Sequence, residues 1–537
     1  MRDERAAPPR AVGVRRIVLW YSLFLAALVP FFAWAGRGEW FRFDDWEYLI
    51  TRTAGDPDAW LRPHSGHWEA IPTLVYRALW SLFGLRYLPF QLFAIVLTLI
   101  GAALLLVIML RARTRPWLAI VLTTLIVFFG DAQPNVALRI TGITFVGFAI
   151  PLGVAQLLLA DHDGRLQARD WLGLTAGLAA LLCSNVATVM ILAVGIAVLV
   201  KRGWRMAAFH VIPPAVVFVT WYATKGRNDH SPGSPGHLHP LPKALHFAWI
   251  LITGAFESLT RAKVGGLLVV VFLVGLVVVL RYAGAERRRE AVVPCALLAA
   301  GFALALETGL GRADLLDRGA STVRLGHYMY AVAYLAFPAV GFLAEEVVRR
   351  RHLVAPVLAG ALVVMIAFNA HALVDQENAS RADTEQFRDT VLLMPRLAAG
   401  KRVPDALRPL SGIATSMTMG WLRAALVAGK LPAPGPTTAP VHNVATMRVS
   451  LVAAPARSTA CRAVAGFVKR RLRTGQFFTF RGAKIIVAYL DHEGIVGEIS
   501  YATTRPARPW KIQNFGPALD LGFEPVADAT RRAEICT

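Results

Sequence analysis

The chain has 537 residues, 55% hydrophobic and only 17% charged, with its apolar residues gathered in repeated runs near the roughly 20 residues that cross a bilayer. That distribution excludes an ordinary water-soluble globular protein. The net charge of +22 does not argue for nucleic acid, because much of it sits beside the apolar runs, where Lys and Arg set orientation and meet anionic headgroups.

The first run, Ile17 to Gly36, follows Arg15 and Arg16, is rich in aromatic residues and lacks a small-x-small cleavage site, so it reads as a retained anchor and not a signal peptide. A loop over 37–87 comes next and carries the chemistry of the chain. Asp44 and Asp45 are adjacent carboxylates just outside the first span, costly to hold near a bilayer unless hydrated or partnered. They are either a site or a solvated acidic turn beside Arg42. Of two neighbouring carboxylates, one acts as general base when the charge and burial around it tune its pKa. Tyr48, His64 and His67 complete the set of candidate substrate-binding groups in this loop. The two imidazoles with an Asp are a possible metal set, and hydrogen bonding to a phosphate or sugar uses them equally well. Beyond them, Ile71, Leu74, Val75, Ala78, Leu79, Leu82 and Phe83 recur at the spacing of one helical face, with Pro72 in the first turn and Gly84 at the C-terminal cap. This helix is too short to span and is expected along the outer membrane surface, with Arg77 and Ser81 on its polar side.

Further spans are expected at 88–110, 117–130, 141–160, 171–183, 185–200, 207–224, 264–282, 291–310, 327–344 and 353–373, about eleven crossings in all. Ser184 and Asn185 interrupt the apolar stretch 171–200, which reads as a broken or strongly tilted pair. His246 to Leu259 is too short to cross and is expected to be re-entrant or interfacial. The basic connections Arg15/Arg16, Arg111/Arg113/Arg115, Lys201/Arg202/Arg205, Arg287/Arg288/Arg289 and Arg349/Arg350/Arg351 all fall on one side in this scheme, the cytoplasmic side by the positive-inside rule. The N-terminus is then inside, and the first loop and the last 160 or so residues are outside.

From 374 onward the apolar spans stop. The fold class expected is an all-α polytopic membrane domain over 1–373 followed by a small extracytoplasmic α/β domain over 374–537. In that domain Asn378 to Leu397 reads as a helix, and Lys484 to Leu490 and Gly494 to Ala502 as strands around the turn Asp491-His492-Glu493-Gly494. Cys183 and Cys295 fall within spans as small apolar packing residues, whereas Cys461 and Cys536 lie in the tail and suit a disulfide if that tail is outside. No CxxC, zinc-type His/Cys spacing, phosphate-loop glycine pattern or GxSxG occurs.

The order of a first span, Asp44-Asp45-x-x-Tyr48, His67 with Pro72 close behind, Leu82-Phe83-Gly84 and Arg86-Tyr87-Leu88-Pro89 resembles GT-C glycosyltransferases. It is most similar to the branch of protein O-mannosyltransferases and the lipid A aminoarabinose transferase. The chain departs from that branch in having Asp45 where Glu is usual and Trp68-Glu69 where Pro-Pro follows the His. The resemblance implies a polyprenyl-phosphate sugar as donor, Asp44 as the base that activates an acceptor hydroxyl, and Asp45 as the group that orients the acceptor or tunes its neighbour.

Such a displacement also needs positive charge near the departing phosphate. Arg139, Lys225, Arg227, Arg312, Arg318 and Arg324 are the outward candidates, with Arg324, just before His327-Tyr328-x-Tyr330, the first choice. Asp131 is either a second acidic contributor holding a divalent metal or a helix-end turn residue, and no obligatory metal or cofactor is expected. The partners expected are the lipid-linked donor, a glycan, lipid or protein acceptor and membrane lipids. A transporter of lipid-linked sugars and a non-enzymatic envelope scaffold are the rival readings.

Overall fold

The structure, a computed structural model, describes residues 9–53, 55–56, 58–130, 134–229, 238–324, 326–397, 405, 414 and 416–434, and beyond them mainly the backbone of strands between 449 and 536. Asp131 lies outside the described residues. Contacts divide the chain into two compact units: Met1–Glu39, Pro57–Val75 and Leu88–Arg381 form one, and Trp40–Asp56, Tyr76–Tyr87 and Ala382–Thr537 the other.

Sixteen α-helices are described, in chain order α1 (Pro9–Ala35), α2 (Asp44–Ile50), α3 (Ala70–Phe83), α4 (Tyr87–Arg111), α5 (Pro116–Val127), α6 (Ile150–Ala160), α7 (Ala168–Leu181), α8 (Ala187–Arg202), α9 (Trp204–Thr224), α10 (Leu241–Thr260), α11 (Gly265–Tyr282), α12 (Ala285–Arg312), α13 (Ala320–Val323), α14 (Gly326–Arg350), α15 (Val354–Leu397) and α16 (Met419–Val427). Among the described residues seven helices, α1, α4, α9, α11, α12, α14 and α15, are long and apolar enough to cross a membrane. Of the remaining expected runs, 141–160 is helical from Ile143 to Ala160, a π-helix (Ile143–Ala149) leading directly into α6, whereas α5, α7 and α8 have 12, 14 and 16 residues, shorter than a full crossing. Two further expectations change. His246 to Leu259 is part of a continuous 20-residue helix, α10, and the helix expected over Asn378 to Leu397 continues unbroken from the preceding span as the 44-residue α15. At 1.5 Å per residue α15 is about 66 Å long, roughly twice the hydrocarbon core.

Within the first unit α14 lies innermost, with 78% of its apolar window buried against 17% for α15. α11 shows why this arrangement suits lipid: Val269, Phe272, Leu276 and Val279 are buried, whereas Leu267, Val270, Val271, Val274 and Val277 are exposed. A stripe of that size would be a liability in water and costs nothing against acyl chains. The expected basic connections converge on shared acidic partners: Arg113 meets Glu286 and Glu290 at 3.1 and 2.7 Å, Arg115 meets Glu345 at 3.1 Å, and Lys201 meets Asp161 at 2.6 Å. The helix ends bearing these charges therefore gather together, as a one-sided charge bias requires.

The second unit holds an aromatic cluster. Trp40 packs edge-on to Trp46 at 5.4 Å and to Phe387 at 5.7 Å, and Trp421 of α16 stacks on Trp80 at 5.2 Å. Gly84 ends α3 at φ 58°, the left-handed C-cap conformation, and a Cβ there would meet the Lys430 carbonyl at 2.3 Å. That carbonyl accepts the Leu85 N–H at 2.8 Å.

A mixed α/β tail is expected from the sequence, but the elements described from 449 onward are all strands: β1 (Val449–Ala453), β2 (Cys461–Val464), β3 (Val468–Leu472), β4 (Phe477–Arg481), β5 (Ala483–Asp491), β6 (Gly494–Tyr501), β7 (Trp510–Asn514), β8 (Leu519–Pro525) and β9 (Ala533–Cys536). They form two antiparallel sheets, in the orders β1-β7-β4-β9-β2 and β3-β8-β5-β6. With β1 set aside as an added edge strand, this is the strand order of a jelly roll, two interleaved Greek keys. The alternation of residue types agrees with a sandwich. Val468, Leu472, Leu519, Leu521, Phe523, Ile485, Val487, Ile499 and Tyr501 share one face of the second sheet by register, with Arg470 among them, and Lys469, Arg471, Asp520, Glu524, Lys484 and Glu498 share the other, with Ile486 among them. The β5–β6 pair is the hairpin expected from the sequence.

Register places Cys461 directly opposite Cys536 on the antiparallel pair β2–β9. Opposed residues of such a pair have Cα atoms about 4.5–5.5 Å apart, inside the range a disulfide spans. Alkylation of the full chain in unreduced, denatured membranes is expected to label Cys183 and Cys295 only, with Cys461 and Cys536 labelled after reduction. Labelling of all four without reductant would rule the bond out.

Candidate functional site

Two clusters contain the candidates of the first loop, one in each unit. In the second unit the chain enters α2 through Phe43, a non-glycine residue at φ 41°, an uncommon conformation that turns the backbone sharply before the Asp pair. The two carboxylates then part. Asp44 is exposed, whereas Asp45 is 2% exposed. The Arg42 N–H donates to Asp45 Oδ2 at 2.8 Å, and the Tyr76 hydroxyl donates to Asp45 Oδ1 at 2.5 Å. Burial, and then the negative charge of Asp45, hold the Tyr76 hydroxyl far above the usual phenol range, so it remains a donor at any physiological pH. Tyr48, expected to bind substrate, is buried, stacked on Tyr76 at 4.6 Å with the Arg52 guanidinium 5.6 Å from its ring centre.

Tyr76 comes from α3, whose expected amphipathic character is visible. Thr73 and Tyr76 are buried, while Leu74, Ala78, Leu82 and Phe83 stay exposed as an apolar stripe, the arrangement of an interfacial helix. Arg77 donates to the Leu49 carbonyl at 3.1 Å and so joins α3 to α2.

In the first unit His64 and His67 close a two-residue hairpin. His64 N–H donates to the His67 carbonyl at 3.0 Å and His67 N–H to the His64 carbonyl at 2.9 Å, around Ser65 at φ 49° and Gly66 at φ 85°. Two positive φ angles define a type I′ turn, which Gly66 accommodates without strain. The turn is docked in the break between α7 and α8. Asn185 Oδ1 accepts the Trp68 N–H at 3.3 Å, Asn185 Nδ2 donates to the Gly66 carbonyl, and Ser184 Oγ lies 3.3 Å from His67 Nδ1. Asp229 Oδ2 accepts the Gly66 N–H at 2.5 Å. Trp68 stacks flat on Trp221 at 5.2 Å.

Beside this turn lies a cavity of about 610 Å³ whose walls include His67, Asn185, Asp229, Glu307, Arg312 and Tyr328. His64 is buried behind the turn. Arg312 donates to the Ser65 carbonyl at 3.3 Å and lies 5.9 Å from the Tyr328 ring centre. Burial, and then the nearby Arg312 charge, hold the His67 imidazole well below the ordinary histidine range, so it is neutral at pH 7. The cavity has the size of a small-molecule site and mixes apolar walls with a few convergent polar groups.

Three other basic candidates pair with carboxylates, and the Arg318 side chain lies outside the described residues. Arg139 makes a two-bond pair with Glu39, Nε and Nη2 each at 3.1 Å from a carboxylate oxygen. Arg324, the first choice from sequence, pairs with Glu257 at 2.7 Å, and Lys225 with Asp58 at 2.8 Å. Of the named basic residues, Arg312 and Arg227 line the cavity. Tyr76, Asn185 and Glu307 are not among the candidates that the sequence singles out. The one available signal was the Ser184-Asn185 interruption, which marked irregular backbone of the kind that lines cavities inside membranes. Among the described residues no three His, Cys, Asp or Glu side chains gather as a metal-binding group.

No family model matches the chain and no curated relative matches it. Among solved structures it is similar to the crystal structure of ArnT from Cupriavidus metallidurans bound to undecaprenyl phosphate, at 17% identity, covering 72% of this chain and 81% of that one, with a TM-score of 0.43.

Folded His67 resists protonation, while the same residue in the unfolded chain takes up a proton near pH 6.5. Its contribution to stability is therefore complete above that pH and is lost as the pH falls toward the lower folded value. The His67→Asn variant is expected to flatten the fall in thermal stability between roughly pH 6.5 and 5, by at most about 1.4 kcal/mol per pH unit. Identical acid profiles for the two proteins would show that folded His67 takes up its proton as readily as it does in the unfolded chain.

Proposed function

We propose that the chain is an integral-membrane glycosyltransferase of the GT-C type, transferring a hexose or pentose from a polyprenyl phosphate to a hydroxyl of a glycan, lipid or protein acceptor. The observation that carries this reading is the division of labour in the Asp pair. Asp45 is buried and held by a phenol and a backbone amide, which fixes the turn, while its neighbour Asp44 is presented to solvent. One carboxylate that positions and one that is accessible is the arrangement a general base requires. The order of motifs around the pair, with its resemblance to GT-C enzymes, supports the same reading.

In the reaction proposed, Asp44 takes the proton of the acceptor hydroxyl, the oxygen attacks the anomeric carbon, and the bond from that carbon to the phosphate oxygen breaks with its electron pair leaving on the phosphate. Configuration inverts. Within the first unit, Arg312 offers the planar, permanently charged group suited to a lipid phosphate, and His67, being neutral, offers a hydrogen bond without a second charge. The proposed setting is the outer face of the cytoplasmic membrane, with the N-terminus inside and the C-terminal strand domain outside. No step uses a resident metal or cofactor.

A second reading, a transporter of lipid-linked sugars, draws on Glu307 and the broken α7–α8 pair lining a cavity among membrane helices. Activity separates the two. In membranes containing matched amounts of protein, transfer from a panel of polyprenyl-phosphate sugars is expected to fall at least roughly a hundredfold in Asp44→Asn, the scale of a lost general base, and to be unchanged by chelation with EDTA. Asp44→Asn transferring at the wild-type rate would remove the enzyme mechanism, and lipid-linked sugar movement without transfer would establish the transporter.

A further inference from the structure

Glu307 has no role in the reaction above, yet its position calls for one. It sits five residues before Arg312 on α12 and lines the same cavity. The flanking residues Ala305, Thr308 and Gly309 are buried, whereas the Glu307 side chain opens into the cavity. Thr188 Oγ1 donates to its Oε2 at 3.3 Å, a long bond that leaves most of the acceptor capacity of a carboxylate for other donors. A carboxylate among membrane helices is retained at a cost, and it is a functional-site candidate on that ground.

We infer that Glu307 binds the hydroxyls of the donor's sugar and that this sugar carries no carboxylate or other negative charge; the inference rests on the proposed transfer from a polyprenyl phosphate. The chemistry of the lining supports it. Arg227 and Arg312 are set against Asp229 and Glu307, and Asp229 is engaged with the Gly66 N–H. A phosphate adds one negative charge that Arg312 meets. A uronic acid would add a second, facing Glu307, whereas neighbouring sugar hydroxyls are donors that a carboxylate accepts in pairs. Tyr328 and Phe218 supply apolar surface for the faces of the ring, and the cavity, at about 610 Å³, is of a size that takes a sugar together with its phosphate.

The test uses the purified full chain in lipid nanodiscs and three probes: undecaprenyl phosphate, its mannosyl ester and its arabinosyl ester. The wild type is expected to bind one of the sugar esters at least tenfold more tightly than the bare lipid phosphate. Glu307→Gln, nearly isosteric, is expected to lose that preference, by roughly ten- to a hundredfold, with binding of the bare lipid phosphate unchanged, the latter also showing that the variant is folded. Glu307→Asp is expected to recover part of the preference. Arg312→Ala is expected to weaken all three probes. A wild type without preference for either ester, or a Glu307→Gln variant that keeps the preference, overturns the inference. Bare lipid phosphate binding that ignores Arg312→Ala overturns instead the reading on which it rests.

Discussion

Backbone groups in a membrane must find partners within the protein, and the break between α7 and α8 is where this requirement shapes the first unit most. A continuous helix would satisfy residues 182–186 internally; interrupted, they need other donors and acceptors. The Leu182 carbonyl accepts the Ile71 N–H at 3.0 Å, and Asn185 bonds both Gly66 and Trp68. The segment 66–71 is thus the partner of the break, and the histidine turn is held because the helix is broken. Asn369 does the same for another pair of helix ends: its Oδ1 accepts the Gly130 N–H at 3.1 Å and its Nδ2 donates to the Leu259 carbonyl at 2.8 Å. Side-chain amides, with a donor and an acceptor each, are suited to this repair without adding charge.

Charge is handled differently at the helix ends. Asp170 accepts from Arg202 at 2.6 Å and lies 3.1 and 3.2 Å from His162 and His210, all within a pocket closed to solvent. Hydrogen bonds from Arg202 and from the Gln167 amide outweigh the cost of burial and hold its carboxyl well below the usual range, so it remains ionised. Arginines elsewhere at these ends share carboxylates in the same manner, with Glu346 receiving both Arg349 and Arg350 at 2.7 and 3.0 Å. The basic residues of the short connections are therefore partners in a network that ties the helix ends together.

In the second unit the decisive contact is the short bond from Tyr76 to Asp45. It makes a buried carboxylate tolerable, since the phenol and the Arg42 amide replace the water it has lost. It also joins α2 to α3, reinforced by the stacking of Tyr48 on Tyr76. An exposed Asp44 beside an anchored Asp45 follows from this contact and from the turn at Phe43, and the proposed chemistry depends on that difference between two adjacent, identical residues.

The membrane class, most of the long helices, the amphipathic α3 with its Gly84 cap, the broken 171–200 stretch and the β5–β6 hairpin were all legible in the sequence. Each rests on local terms: apolar content decides partition into lipid, periodicity decides which face is buried, and glycine allows the positive φ of a cap. The strand order of the tail was not legible, because β2 pairs with β9 some seventy residues away and no local pattern records that choice. Nor were the roles of like residues. Arg139, Arg312 and Arg324 read alike as outward cations, and Asp44 and Asp45 read alike as acids. Only the tertiary structure set Arg139 on Glu39, Arg324 on Glu257 and Asp45 on Tyr76, leaving Arg312 to the cavity. The physical reason is that burial and pairing of a charged group depend on which distant residues meet it, and that meeting is a property of the fold.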